Sequence, residues 1–323
     1  MSHAASSSES RRAIVLDTDT AADDCFALLA CLLHPAADLK AVTVVAGNVG
    51  FDQQLENALI TIEQCGRSGE VPVHPGCTES LVRGWTSAEN VHGDGKGHHE
   101  WPAPAQRPES EHAALALVRL AEEHRGELDL VCIGPLTNVA TALAIDRRLP
   151  EKIRSLYVMG GSNNGRGNIT PSAEYNFYVD PEAARAALRA GFSVTVVDWV
   201  LTLRQAVFGA EQLEEIAALD TPLSRFFGIV NTPTLEFDRS VGIEGSTHPD
   251  LLTALALLEP SIVVRTSRYF LDVDTADGPS RGYSTFDWGV FGREPNADVV
   301  EEIDEGAFFE RVKGLLCTGP GEA

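Results

Sequence analysis

Residues 13–34 read AIVLDTDTAADDCFALLACLLH: an apolar run, an acidic connection and a long apolar stretch with helix-forming residues. Ala13–Leu16 is apolar at every position, which suits a strand buried on both faces. Asp23–His34 reads as a helix whose two opening carboxylates sit where exposed N–H groups favour negative charge. Between strand and helix, Asp17, Asp19, Asp23 and Asp24 place four carboxylates within eight residues. Anions this close repel one another unless protons or a cation neutralise them. A set of oxygen donors suits a hard ion, calcium or magnesium. The pattern is not an EF-hand. Counted from Asp17, the fifth and sixth positions are Ala21 and Ala22, where that loop needs an oxygen ligand and a glycine.

Outward from this stretch the same alternation continues. Ala41–Val45, Leu128–Ile133, Leu156–Met159 and Ser193–Val197 are β-rich and nearly continuous in apolar character. Helical segments separate them: Gln53–Cys65, Glu109–Arg125, Asn138–Arg147 and Pro181–Ala190. Such strands and helices predict an α/β fold, a doubly wound, mostly parallel, Rossmann-like sheet covered on both sides. Open parallel sheets bind ligands beyond the carboxyl ends of their strands. Polar residues do collect there: Asp17 and Asp19 after the first run, Asn48 after the second, Gly134-Pro135 after the third. The Gly- and Asn-rich loop Gly160–Asn168 follows the fourth run, and Asp198 the fifth.

The chain has 323 residues, 44% of them apolar, and no internal repeat or linker divides it, so residues 13–323 are expected to form one domain. The polar start, residues 1–12, reads as a disordered tail without the apolar core of a secretory signal. No run of about 18 apolar residues suggests a membrane span. The six cysteines, at 25, 31, 65, 77, 132 and 317, include no CxxC pair and read as free thiols. These features point to a cytoplasmic location. The net charge of −22 argues against nucleic acid as partner and is compatible with a neutral small molecule or a cation.

Taken in order, several short motifs resemble the nucleoside hydrolase (inosine–uridine preferring) family. The family opening DxDxGxDD is matched by Asp17-Thr-Asp19-Thr-Ala21-Ala-Asp23-Asp24. Val45-Ala-Gly-Asn48, Gly134-Pro-Leu-Thr-Asn138, Met159-Gly-Gly161, Gly167-Asn168 and Glu174-Tyr-Asn176-Phe-Tyr-Val-Asp180-Pro-Glu182 follow at similar intervals. The resemblance implies calcium-dependent cleavage of the N-glycosidic bond of ribonucleosides, in nucleoside catabolism and purine salvage, by a homodimer or homotetramer. It implies that Asp19 binds calcium and takes the proton of the attacking water, with Asn48 close to both. It gives Asp24, the carbonyl of Ile133 and a late carboxylate, matched by Asp250, as further calcium ligands. It puts Asp23 at the ribose 2′-hydroxyl, Asn176 near the 2′ and 3′ hydroxyls, and Asn168 and Glu174 around the 5′-hydroxyl.

Two departures stand out. The position before the late metal Asp, usually His in inosine–uridine hydrolases, is Pro249, with His248 displaced by one. Protonation of the leaving base, worth roughly 10²–10⁴ in rate, therefore lacks its usual donor. His92 resembles a second family histidine near the base, whereas His98 and His99 read as solvent-exposed. Trp85 lies where a base-stacking ring could sit, as in purine-preferring relatives. Ala21 replaces a Gly, and Ala adopts positive φ less cheaply. Two alternatives stay open: a magnesium-dependent phosphatase of the haloacid-dehalogenase type with Asp17 as nucleophile, and a noncatalytic calcium- or nucleoside-binding relative. The preferred base is also open.

Overall fold

In the computed structural model, which describes residues 11–318, the opening apolar run forms β1 (Arg12–Thr18). The tail expected over residues 1–12 lies, for residues 1–10, outside that range. Side chains of β1 alternate between two cores, Ile14 and Leu16 on one face and Val15 on the other. Both faces being buried explains the unbroken apolar run.

The chain continues through β2 (Ala37–Val44), β3 (Val73–Pro75), β4 (Leu128–Cys132), β5 (Ile153–Met159) and β6 (Val194–Val197). A small antiparallel ribbon, β7 (Val207–Phe208) with β8 (Ser246–Thr247), comes next. Strands β9 (Val263–Val273), β10 (Ser284–Asp287) and β11 (Ala297–Ile303) complete a nine-stranded sheet ordered β10-β9-β11-β6-β5-β4-β1-β2-β3. Six of its pairings are parallel, and only the two made by β9 are antiparallel. The mostly parallel α/β sheet expected from the sequence is present.

From β1 the chain steps outward through β2 and β3, then returns to β4 on the other side of β1. This reversal opens a crevice at the carboxyl ends of β1 and β4, where sheets of this kind bind ligands. The helix after the acidic loop, Asp23–Leu33, is buried at all eleven positions, and Pro249–Leu258, packed beside it, at all ten. A helix enclosed on every side carries apolar residues all round, which accounts for the run Cys25–Leu33. Phe26 stacks on Phe227 of the nineteen-residue helix Pro222–Ser240, ring centroids 4.1 Å apart. Among the described residues no helix is long and apolar enough to cross a membrane.

Candidate active site

The loop between β1 and the first helix is the floor of the site. Asp19 is fully buried and held from both sides by glycines: a Cβ on Gly47 would lie 1.9 Å from its Oδ2, and one on Gly134 2.6 Å from its Oδ1. Only glycine admits the carboxylate at those two positions. Asp19 Oδ2 accepts the backbone N–H of Asn48 at 2.9 Å, while Oδ1 has no hydrogen-bond partner among the described residues. Asn48 reaches back with its amide to Asp24 Oδ2 at 3.0 Å. Asp24 also accepts the Thr18 hydroxyl at 2.6 Å and the Ala21 N–H at 3.2 Å. Asn48 thus ties the two carboxylates together.

The late carboxylate arrives from the other end of the chain. The N–H of Asp250 donates to Asp23 Oδ2 at 2.9 Å, and carboxylate oxygens of Asp23, Asp24 and Asp250 lie within 4.8 Å of one another. The trio the structure gathers is therefore Asp23, Asp24 and Asp250. Asp19, expected as a ligand beside Asp24 and Asp250, is not in this trio but is an electrostatic neighbour of both. No basic side chain forms an ion pair with any of the four among the described residues. Desolvation, reinforced by the charge of Asp24, raises Asp23 from 3.8 to about 8 and Asp19 well above its ordinary value. Desolvation also raises Asp24 to about 6, partly offset by the Thr18 and Ala21 hydrogen bonds, and raises Asp250, with the charge of Asp23 adding. Like-charged, buried, oxygen-only and without a cationic partner, this donor set fits a hard divalent ion.

Above the floor is a cavity of about 250 Å³. Of the residues named from sequence, Asp23, Asn48, His92, Ile133, Asn168, Glu174, Asn176 and Asp250 line it. Glu174 caps the short helix Tyr175–Val179, and its oxygens accept the N–H groups of Asn176, Phe177 and Gly161 at 2.7, 3.2 and 2.8 Å. Burial outweighs those bonds and raises its carboxyl from 4.5 to about 7. Asn168 accepts the Tyr175 N–H at 2.8 Å. The Ile133 carbonyl, expected to face a cation, accepts the Asn176 amide at 2.9 Å. His92 is half-buried in the wall, its Nδ1 3.5 Å from the Thr234 hydroxyl, and desolvation lowers it to about 4.

Several expectations fall elsewhere. Trp85 does not line the cavity: its indole N–H donates to the Gly47 carbonyl at 2.6 Å, and the ring is partly solvent-exposed. Asp17 is fully buried and does not line the cavity, its Oδ1 accepting Thr43 at 2.5 Å and Asn138 at 2.8 Å, so that burial closes a substrate's approach to it as a nucleophile. His248 lies among Phe26, Phe208 and Phe227, both ring nitrogens without a hydrogen-bond partner among the described residues and its pKa lowered to about 3 by burial. The positive φ of the acidic loop belongs to Ala22 (φ 46°), not to Ala21. Ala21 is tolerated because the residue facing it is Gly95, whose Cβ would come within 2.7 Å of the Ala21 methyl. Sequence reasoning missed the wall formed by Thr234, Phe237 and Asp238 of the Pro222–Ser240 helix and by Val241, which caps its C-terminus. Their spacing, i, i+3, i+4 and i+7, was a usable sign of one helix face.

Comparison with known proteins agrees with this geometry. Residues 14–310 match the family described as inosine-uridine preferring nucleoside hydrolase. The chain is 32% identical over 315 residues to the pyrimidine-specific ribonucleoside hydrolase RihB of Escherichia coli O157:H7, covering 95% of this chain and 99% of that protein. A plant nucleoside hydrolase, PpNRh1, superposes with a TM-score of 0.89 at 27% identity, and the purine-preferring ribonucleoside hydrolase from Gardnerella vaginalis with 0.87 at 25%. Each alignment covers 95% of this chain and 99% of the other. With its fold, its ordered motifs and nearly its whole length shared, the chain belongs to the inosine–uridine preferring nucleoside hydrolase family.

Proposed function

We propose that this N-glycosyl hydrolase cleaves ribonucleosides to free base and ribose in a calcium-dependent reaction, with Asp19 as general base. One observation carries the reading: Asp23, Asp24 and Asp250, with Asp19 beside them, form an acidic cluster without an ion-pair partner among the described residues, and Asp23 and Asp250 line a cavity of nucleoside scale. Asp24 and Asp250 would hold the calcium ion, with Asp19 and the Ile133 carbonyl as the further ligands the family pattern implies. When bound, the ion supplies Lewis-acid activation of water and a grip on sugar hydroxyls.

The remaining work falls to the chain's own groups. Cleavage passes through a ribosyl cation, and carboxylates below the sugar stabilise that charge as it develops. Asp19 Oδ1, to which no group among the described residues donates, is the oxygen that would take the water's proton. Asn48 fixes the orientation of Asp19 through its N–H, so the base is aligned before substrate binds. Asp23 accepts the 2′-hydroxyl. Asn176 serves the 2′ and 3′ hydroxyls, and Asn168 with Glu174 the 5′ end, as the donors and acceptors a polyol requires. His92 lies on the cavity wall and is the nearest candidate to assist the leaving base, although its lowered pKa makes it a poor acid.

A panel of ribonucleosides, with base release followed by chromatography, tests the proposal. Release of free base and ribose is expected. Cleavage of nitrophenyl phosphate in its place would return the phosphatase reading, and calcium binding without any turnover the noncatalytic one. A dimer or tetramer is proposed from family likeness and is checked by light scattering; a cytoplasmic location is proposed from the free thiols.

A further inference from the structure

The end of the cavity assigned to the 5′-hydroxyl holds more hydrogen-bond donors than one hydroxyl can use. Glu174 and Trp199 meet there through a single residue. The Gly161 N–H donates to Glu174 Oε2 at 2.8 Å, and the Gly161 carbonyl accepts the Trp199 backbone N–H at 3.0 Å. Trp199 lines the cavity and is only 8% exposed, yet its indole N–H has no hydrogen-bond partner among the described residues. The loop after Gly161 carries Arg166, whose carbonyl accepts the Ser162 hydroxyl at 2.7 Å, and then Asn168. Among the described residues Arg166 is the one lysine or arginine that lines the cavity, and its guanidinium makes no hydrogen bond or ion pair. The Asn168 carboxamide oxygen accepts the Tyr175 N–H at 2.8 Å, while its NH2 group donates to nothing among the described residues.

A sugar hydroxyl has one proton to give and two lone pairs to receive with. Glu174 takes the proton. Asn168 brings two N–H groups, Trp199 one and Arg166 five, which exceeds what the remaining lone pairs accept. A phosphate ester on the same carbon adds three acceptor oxygens, and a guanidinium grips such a group through two parallel hydrogen bonds. The neighbouring acids are already occupied. Asp198 accepts the Leu201 N–H at 2.8 Å and the Asn163 N–H, and Glu174 accepts three backbone N–H groups. Arg166 and Asn168 are exposed, so a phosphate held by them keeps part of its hydration. The net charge of −22 slows an anion's arrival without removing these local donors.

We propose that the cavity also accepts nucleoside 5′-monophosphates, with Arg166, Asn168 and Trp199 holding the phosphate, and that the chain hydrolyses them to free base and ribose 5-phosphate. Water gives its oxygen and one hydrogen to C1′. The base leaves with the electron pair of the C1′–N bond and gains the water's other hydrogen as a proton. The phosphate ester stays intact, and no co-reactant besides water is consumed. The inference rests on the nucleoside hydrolase reading above and extends it to a second class of substrate.

The test is kcat/KM for wild type, Arg166→Gln and Trp199→Phe on inosine, uridine and their 5′-monophosphates, with products separated by chromatography. Wild type should release base and ribose 5-phosphate from a monophosphate. The ratio of monophosphate to nucleoside turnover should fall by about tenfold or more in each variant, the worth of a hydrogen bond to a charged group. Calorimetry on the calcium-loaded protein gives a readout without turnover: ribose 5-phosphate should bind about tenfold or more tighter than ribose, and Arg166→Gln should erase that margin. Monophosphates left intact by a wild type that cleaves nucleosides would overturn the proposal. So would ratios that neither variant moves, or release of inorganic phosphate in place of base. Should Trp199→Phe not fold, Arg166→Gln, at an exposed loop position, decides alone. Base released from neither class ends the hydrolase reading together with the activity proposed here, and ribose 5-phosphate binding no tighter than ribose ends the phosphate site.

Discussion

Asp19 is fixed by what its neighbours lack. Gly47 and Gly134 leave space that any side chain would fill, and the Asn48 N–H sets the carboxylate's orientation. Asp19→Ala should lose about two decades or more of kcat on a nitrophenyl riboside while its melting temperature holds, because one buried negative charge is removed from a repelling cluster. Turnover like wild type would refute Asp19 as the base. Gly47→Ala makes the complementary test. Its methyl would sit 1.9 Å from Asp19 Oδ2, so the carboxylate must move, and activity should fall by about a hundredfold. Steady-state kinetics on both variants check the pair. The acidic residues were legible in the sequence because four carboxylates at a strand's end demand an explanation. Trp85 and Asp238 were not: nothing in the sequence around a lone indole or a lone carboxylate says whether it faces the cavity.

At the scale of elements, the loop His92–Gly97 clasps the acidic loop. Gly93, Gly95 and Gly97 all have positive φ, at 61°, 73° and 77°. The Gly95 carbonyl accepts the Ala22 N–H at 2.9 Å, and Asn57 donates to both Thr20 and Asp94 carbonyls at 2.9 and 3.1 Å. A methyl at Gly95 would meet Asn57 Nδ2 at 2.6 Å and the Ala21 methyl at 2.7 Å. Gly95→Ala should therefore destabilise by roughly 1–3 kcal/mol. Adding Ala21→Gly should recover part of the loss in a denaturation double-mutant cycle; strict additivity would contradict a direct contact. The first five apolar runs were readable because parallel strands buried on both faces are apolar throughout. Beyond Val197 the pattern fails for physical reasons. In β9 half-buried and exposed positions predominate, and the Pro222–Ser240 helix contains Pro233. Such segments carry neither a clean period of two nor an unbroken helical pattern.

Over the whole molecule, buried acids couple stability to pH and to cations. Asp17 and Glu174 are raised to about 7, Asp23 to about 8 and Asp24 to about 6. Unfolded, such groups titrate near 4, so the folded chain binds more protons between roughly pH 4 and pH 8. Stability is then present at the acid end of that window and falls as pH rises through it. The melting temperature of chelated protein should drop from about pH 5 to about pH 8. Calcium, which binds the ionised forms, should raise it most at the upper end. A melting temperature independent of both pH and calcium would contradict the assignment of Asp23 and Asp24 to a cation site. The net charge of −22 adds self-repulsion to the same trend.

Base release from inosine and uridine, followed after removal of metal by a chelator and again after calcium is returned, bears most directly on the account. Activity should vanish on chelation and come back with calcium. Undiminished turnover by the stripped protein would contradict a reaction built on the Asp23, Asp24 and Asp250 cluster.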